Sequence, residues 1–269
     1  MKKLLTIIPA FALGLAILAA PATAKAADPK DKAMDGKVVR GSEAKGAKVF
    51  DQKGEHLGEI DDIIFDENTG GMSHAVLAIG GWLGIGEKLT AVPWKFIKQS
   101  EKDSPGYVVD VEKSKLTTAE HFDNKNWPDL SDGWYQKSYT TYGLTGKTGK
   151  KLVRLSTVNG AKLFNQKGEQ IGEIEDVLMH PNSGKVAYGV VSLENDEAVG
   201  DKLTSIPWSL IRQSKKATEG FVVNVDKAKL DTAPHFESNT WPDYSDTAWN
   251  STTYGYYGAS PYWTSPMLY

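Results

Sequence analysis

The sequence contains no cysteine among its 269 residues. That excludes disulfide staples, thiolate metal centres and a lipid-bearing cysteine, and leaves the hydrophobic core to hold the fold. Beyond residue 20 there is no apolar run long enough to cross a bilayer. Positive charge is not in excess either, since 31 basic residues face 34 acidic ones for a net charge of −3. Nucleic acid, which demands clustered Lys and Arg, is therefore not an expected partner, and an anionic membrane surface gains no help. No G-x-S-x-G elbow or Ser-His-Asp arrangement occurs. The chain is not expected to be an enzyme, and no catalytic residue, metal or cofactor is assigned.

What is present begins with the leader. Residues 1–26 have the three parts of a secretory signal peptide: Lys2 and Lys3, an apolar run from Leu4 to Ala20, and small residues around Ala22, Ala24 and Ala26. The alternative is an uncleaved inner-membrane anchor, which Pro9 and Gly14 interrupt. Either places the remainder across the membrane, so a periplasmic location is expected. Cleavage would remove three lysines and no acid, which deepens the net charge to −6.

The rest is a tandem duplication. KVVRGSEAKGAKVFDQKGEHLGEIDD from Lys37 returns as KLVRLSTVNGAKLFNQKGEQIGEIED from Lys151. The shift of 114 holds without a gap to the WPD-x-SD segments ending at Asp132 and Asp246, with roughly 45 of 96 aligned positions identical. A period this long is too large for a solenoid unit, so each copy is expected to have its own core. The expected organisation is a first repeat over 37–122, a linker over 123–150, a second repeat over 151–236 and a Tyr/Ser/Gly-rich tail over 237–269.

The two copies show which positions tolerate change. The glycine-rich stretch Gly80 to Gly86 becomes Glu194 to Gly200, which carries three carboxylates. Strand-like Lys88 to Trp94 follows it, with a proline where a phosphate loop would open a helix. The stretch therefore reads as a connector between strands. Within one copy, short strands are expected at 47–50, 57–65, 72–79, 88–92 and 107–111, then a helical turn over 113–119. Mainly β architecture follows, as two small barrels or sandwiches.

At this point the residues resemble a known family. G-E-x-(L/I)-G-E-I-(D/E)-D followed by G-x-K-L-T-x-(V/I)-P-W, at Gly54–Asp62 with Gly86–Trp94 and again at Gly168–Asp176 with Gly200–Trp208, is similar to the PRC-barrel family. Gly58, Asp62, Pro93 and Trp94, with Gly172, Asp176, Pro207 and Trp208, carry the match in each copy. The resemblance implies two tandem small PRC-like β-barrels, each followed by a short helical turn and an aromatic linker. It also implies a docking module without catalysis of its own, and names no partner.

Two constellations invite a cation. His121 and His235 stand at equivalent positions, but no second histidine lies close to either, and a role in closing the helical turn is favoured. Glu59, Asp61, Asp62, Asp66 and Glu67 lack EF-hand spacing, and Asp66-Glu67 becomes His180-Pro181. They read as a solvated strand face and turn, with Asp62 and Asp176 bonded to the adjacent turn's amides. Trp94 and Trp208 are expected to plug the barrels. Candidate contact residues are Trp82, Leu83 and Ile85 in the loop, and Tyr254, Tyr256, Tyr257 and Trp263 in a tail expected to lack a fold of its own but to pack back. The expected function is an exported, non-catalytic protein-binding or scaffold module. The alternatives are an envelope-associated structural protein anchored by its tail, and a small-ligand or divalent-cation carrier.

Overall fold

A computed structural model of the chain describes residues 37–79, 88–100, 106–193, 202–214 and 220–264. The leader over 1–26 and the loop holding Trp82, Leu83 and Ile85 lie outside the described residues. The first repeat opens with β1 (Val39–Arg40) and α1 (Gly41–Ala44), followed by β2 (Lys48–Asp51), β3 (His56–Asp66), β4 (Met72–Ile79) and β5 (Lys88–Pro93). It continues through β6 (Ile97–Gln99), β7 (Gly106–Val109), α2 (Lys113–Thr118), β8 (His121–Phe122) and α3 (Asp132–Thr141). The second opens with β9 (Leu152–Arg154) and α4 (Leu155–Val158), then β10 (Ala161–Phe164), β11 (Gln170–His180), β12 (Lys185–Leu193) and β13 (Leu203–Pro207). It closes with β14 (Ile211–Gln213), β15 (Gly220–Val223), α5 (Lys227–Asp231), β16 (His235–Phe236) and α6 (Thr247–Tyr257).

Each repeat builds the same curled sheet, in the order β6-β7-β2-β3-β4-β5-β8 and β14-β15-β10-β11-β12-β13-β16. The expected mainly β architecture of two tandem barrels is therefore what forms. One parallel pairing, β2 with β7 and β10 with β15, turns each otherwise antiparallel sheet back on itself.

The eighth strand of each sheet comes from the other repeat. Strand β1 pairs with β11, placing Val39 opposite Met179, and β9 pairs with β3, placing Val153 opposite Phe65. The exchange is reciprocal, so the repeats are related by a pseudo-twofold axis. The expectation of a separate core for each copy is thus corrected. One buried cluster runs from Ile60, Ile63 and Phe65 through Trp94 and Trp208 to Ile174, Val177 and Met179. The physical reason is area: a sheet of such short strands covers too little apolar surface alone, and mating two sheets buries what each leaves open.

The long strands show how the pattern is read out. In a regular strand, Ile60 and Ile63 would face opposite sides. A register shift between Ile60 and Asp62 inserts one residue and turns both inward, and the same shift falls between Ile174 and Asp176. Ile64 and Leu178 then face outward, beneath the helices that follow each barrel. Gly58 holds φ of +153°, and a Cβ there would stand 2.0 Å from the Ala78 carbonyl oxygen. Its counterpart Gly172 is equally close to Ser192. Only glycine permits that approach of backbones.

The aromatic segments are helical. The tail, expected to lack a fold of its own, forms α6 and packs back on the second barrel, capped at its start by Asp246 accepting from Ala248 N and ended by Gly258 at φ of +66°. Helix α3, inside the segment expected to be only a linker, does the same for the first barrel, with Ser131 as its cap. Beyond Asp132 the repeat continues with one residue inserted. Trp134, Tyr139, Tyr142 and Gly143 correspond to Trp249, Tyr254, Tyr257 and Gly258 at a shift of 115.

Candidate functional site

The carboxylates singled out in the sequence are mostly buried, because they serve the contact between repeats. Asp62 is 1% exposed, and it accepts from Ser156 N at 3.1 Å and Ser156 Oγ at 2.5 Å, from the first turn of α4. Asp176 accepts from Ser42 N at 3.1 Å and Ser42 Oγ at 2.5 Å. The expectation of a solvated face holds for Glu59, which is exposed, and is corrected for Asp62, Asp66 and Glu67, and the expected bond to the adjacent turn is corrected for Asp62 and Asp176. The register shift in β3 and β11 turns these side chains toward the other repeat, where they cap its four-residue helical turn. Arg154 stacks over the Trp127 ring at 4.1 Å and Arg40 over Trp241 at 4.9 Å, each joining an exchanged strand to the WPD segment of the opposite repeat. Ser42, Ser156, Arg40 and Arg154 were passed over in the sequence, although both copies keep them.

Trp94 and Trp208 are 1% and 2% exposed, as barrel plugs should be. They also reach across. Trp94 Nε1 donates to the Pro181 carbonyl at 3.0 Å and Trp208 Nε1 to that of Glu67 at 2.9 Å. Pro93 and Pro207 set the turn that aims each ring. His121 and His235 each contact a carbonyl four residues earlier at 3.3 Å, closing the helical turn. Among the described residues no group of three or more His, Cys, Asp or Glu is placed to hold a metal ion.

Beneath α3 lies a buried polar relay. His74 is enclosed by Trp134, Tyr135 and Tyr139, with ring centroids 5.0, 5.9 and 5.2 Å away. Its Nδ1 meets Ser73 Oγ at 2.8 Å and its Nε2 meets Ser138 Oγ at 2.9 Å. Ser138 in turn donates to the Tyr135 carbonyl, so a neutral ring with its proton on Nε2 satisfies the chain of bonds. Burial, and behind it the charge of Lys150, pushes the His74 pKa down to about 3. In the second repeat Tyr188 takes this place and donates to Asn250 Oδ1 at 2.7 Å. Tyr139 donates to the Ser73 carbonyl and Tyr254 to that of Ala187, an equivalent pair.

Of the predicted contact residues in the tail, Tyr254 and Tyr257 are 2% and 7% exposed and face the barrel. Packing of α6 is the reason they are withdrawn from the surface. Tyr256 is half-buried, with its hydroxyl close to the Lys229 carbonyl and 2.8 Å from Thr232 Oγ1, and Trp263 is half-buried against Tyr254 and Tyr262.

The first repeat carries a groove of about 560 Å³ lined by Asp51, Gln52, Phe96, Asp110, Glu112 and Lys113. Lys98 pairs with Asp110 at 3.2 Å, and Lys113 stands 3.7 Å from Asp51. Burial raises the Asp51 pKa, but the amides of Glu55 and Lys53 and the charge of Lys113 outweigh it and hold it below the usual value. The copies differ here: Asp51 and Asp110 become Asn165 and Asn224, and Phe96 becomes Leu210. The other charged lining positions are kept, Lys53, Glu112, Lys113 and Lys115 matching Lys167, Asp226, Lys227 and Lys229, so what the second repeat loses is two carboxylates. A shallower one, of about 520 Å³, lies between Arg40, Glu43, Trp241 and Tyr244.

A comparison with curated protein sequences finds no match. The PRC-barrel domain matches twice, over residues 36–116 and 150–230, and these spans hold the two curled sheets apart from the short last strands β8 and β16. With more than half of its length matched in two successive copies, the chain belongs to the PRC-barrel domain family.

Proposed function

We propose that the protein is an exported, non-catalytic docking module, in which two mated barrels act as one rigid scaffold and present the charged groove of the first repeat to a protein partner. The observation that carries this reading is the difference between the grooves. The paired seam residues Ser42 and Ser156, Asp62 and Asp176, and Arg40 and Arg154 are the same in both repeats, yet at the groove Asp51, Asp110 and Phe96 of the first become Asn165, Asn224 and Leu210. Asp51 and Asp110 bond within their own repeat and not across the seam, so mating of the repeats does not account for that change. A periplasmic location is part of the proposal and rests on the leader at residues 1–26.

The envelope-associated structural reading keeps less support, because two of the four tail aromatics that would touch membrane or wall polymer are buried. The test is a pull-down from envelope extracts with the mature protein and with an Asp110→Lys/Glu112→Lys variant of unchanged melting temperature. A stoichiometric protein partner lost with the variant supports the docking module. Recovery of bulk membrane or wall, equal for both proteins, would favour the structural reading.

A further inference from the structure

The two sheets meet at a seam with near-exact internal symmetry. Met72 N donates to the Gly184 carbonyl at 2.8 Å and Val186 N to that of Gly70 at 2.7 Å, around the bridge between Gly71 and Lys185. Since 71 and 185 differ by the repeat shift of 114, the pseudo-twofold axis passes between them. Most seam contacts are indifferent to which repeat supplies which half. Ser42 with Asp176 and Ser156 with Asp62, and Arg40 with Trp241 and Arg154 with Trp127, use the same residue types in both directions, and each tryptophan donates to a backbone carbonyl, which any residue supplies. By these contacts alone, a repeat would mate with its own copy as well as with its partner.

The residues at the axis break that equivalence. Asp66 and Glu67, 5% and 1% exposed, come from the first repeat, and their counterparts are His180 and Pro181. Lys185, 3% exposed, comes from the second, and its counterpart is Gly71. Lys150, just before the exchanged strand β9, stands 3.9 Å from Asp66. Glu67 accepts from Gln213 N at 2.5 Å in β14 of the second repeat. The mixed pair therefore gives Asp66 an amine partner in Lys150 and sets the charge of Lys185 near it, while Glu67 is held by a backbone amide of the other repeat.

We infer that this buried charge set makes mating heterotypic, so that a first repeat accepts a second repeat and rejects another first. Two first repeats would bring together two copies each of Asp66 and Glu67, with Gly71 facing Gly71 and no amine between them. Two second repeats would bring together two copies each of Lys150 and Lys185 with no carboxylate. Like charges without a partner in a dry seam are strongly disfavoured, and rejection of the wrong partner is how specificity is built when the attractive contacts are shared. For a tandem chain the consequence is closure. Like-with-like mating between chains propagates into open assemblies, whereas heterotypic mating is satisfied within one chain at the high effective concentration of the tether.

The test uses the whole chain with a protease site placed in the exposed stretch Lys147–Gly149 and cut after folding. The nicked protein is unfolded in urea, refolded, and its complexes weighed by native mass spectrometry. The expected result is an excess of at least about tenfold of mixed pairs over either like pair. Mixed pairs making up no more than about half of all complexes, which is random re-sorting, would overturn the inference, and so would halves that do not associate. If the nicked halves do not refold from urea, exchange between unlabelled and 15N-labelled nicked protein in native buffer reads the same ratio. A Lys185→Gly variant, which gives the second repeat the residue of the first, should cut the preference at least about fivefold. A preference unchanged by that substitution would remove the charges as its cause.

Discussion

Trp208 donates its indole N–H to the carbonyl oxygen of Glu67 at 2.9 Å, across 141 residues of chain. The ring that fills the second barrel is thus held by the first, and Phe65 of the first barrel meets it edge-on at 5.2 Å. Trp94 does the same to Pro181 in the other direction. In physical terms the repeats are halves of one folding unit.

Replacing either ring by phenylalanine keeps most of the packing and removes the cross-repeat bond. The abandoned carbonyl is buried, so Trp208→Phe and Trp94→Phe should each cost about 1–3 kcal/mol. Urea unfolding followed by far-UV circular dichroism and by tryptophan fluorescence should give one coincident transition for the wild type. Two separated transitions would mean the repeats unfold independently, against the shared core.

Ser42 and Asp176 lie 134 residues apart and touch. A double-mutant cycle with Ser42→Ala and Asp176→Ala should give a coupling of about 0.5–3 kcal/mol. The cycle pairing Ser42→Ala with Asp62→Ala, which belong to the same repeat, should give close to none. The reverse result would mean each serine bonds within its own repeat and that the strand exchange is wrong.

Gly58 and Gly172 test the close approach of strands. A methyl group 2.0 Å from a backbone carbonyl oxygen has no flexible neighbour to displace, so Gly58→Ala and Gly172→Ala should each cost at least about 3 kcal/mol. Gly54, at φ of +83° with nothing near its missing Cβ, is the control. Gly54→Ala should cost only the left-handed backbone penalty of about 1 kcal/mol. Chemical denaturation of the three variants separates the two effects.

Much of this was legible before any coordinates. The strands expected over 72–79 and 88–92 occur, and Pro93-Trp94 marked a plug. The register shift at Asp62 was not legible, because an inserted residue in a strand leaves the hydrophobic count unchanged and alters only which face each residue takes. That one feature turned carboxylates expected in solvent into ties between repeats. Strand exchange was hidden for a related reason: β1 and β9 are two and three residues long, and nothing local in Val39-Arg40 says which sheet it joins. Helices α3 and α6 were missed because Tyr, Trp, Ser and Thr are weak helix formers and the single inserted residue broke the repeat alignment at the start of each helix. The groove was missed: Asp51 and Asp110 align with Asn165 and Asn224, but only the fold brings those two turns together.

His74 gives a prediction with a definite sign. Its pKa lies near 3 in the folded chain and near 6.5 when unfolded. Above 6.5 neither state holds the proton, so the full stability is present. Below 6.5 the unfolded chain takes up a proton that the folded chain refuses, and stability falls until the pH approaches 3. The loss approaches about 1.4 kcal/mol for each pH unit in that window, or roughly 2–3 kcal/mol at pH 4.5. Lys150 adds to the effect from outside, while Tyr135 and Tyr139 stay neutral throughout. His74→Gln keeps a polar side chain without a titrating group, so its urea midpoint should fall less than the wild type's between pH 7 and pH 4.5. Carboxylates titrate in both proteins and cancel in the difference. Equal losses for the two proteins would show that the ring accepts its proton in place, which the enclosure by Trp134, Tyr135 and Tyr139 does not allow.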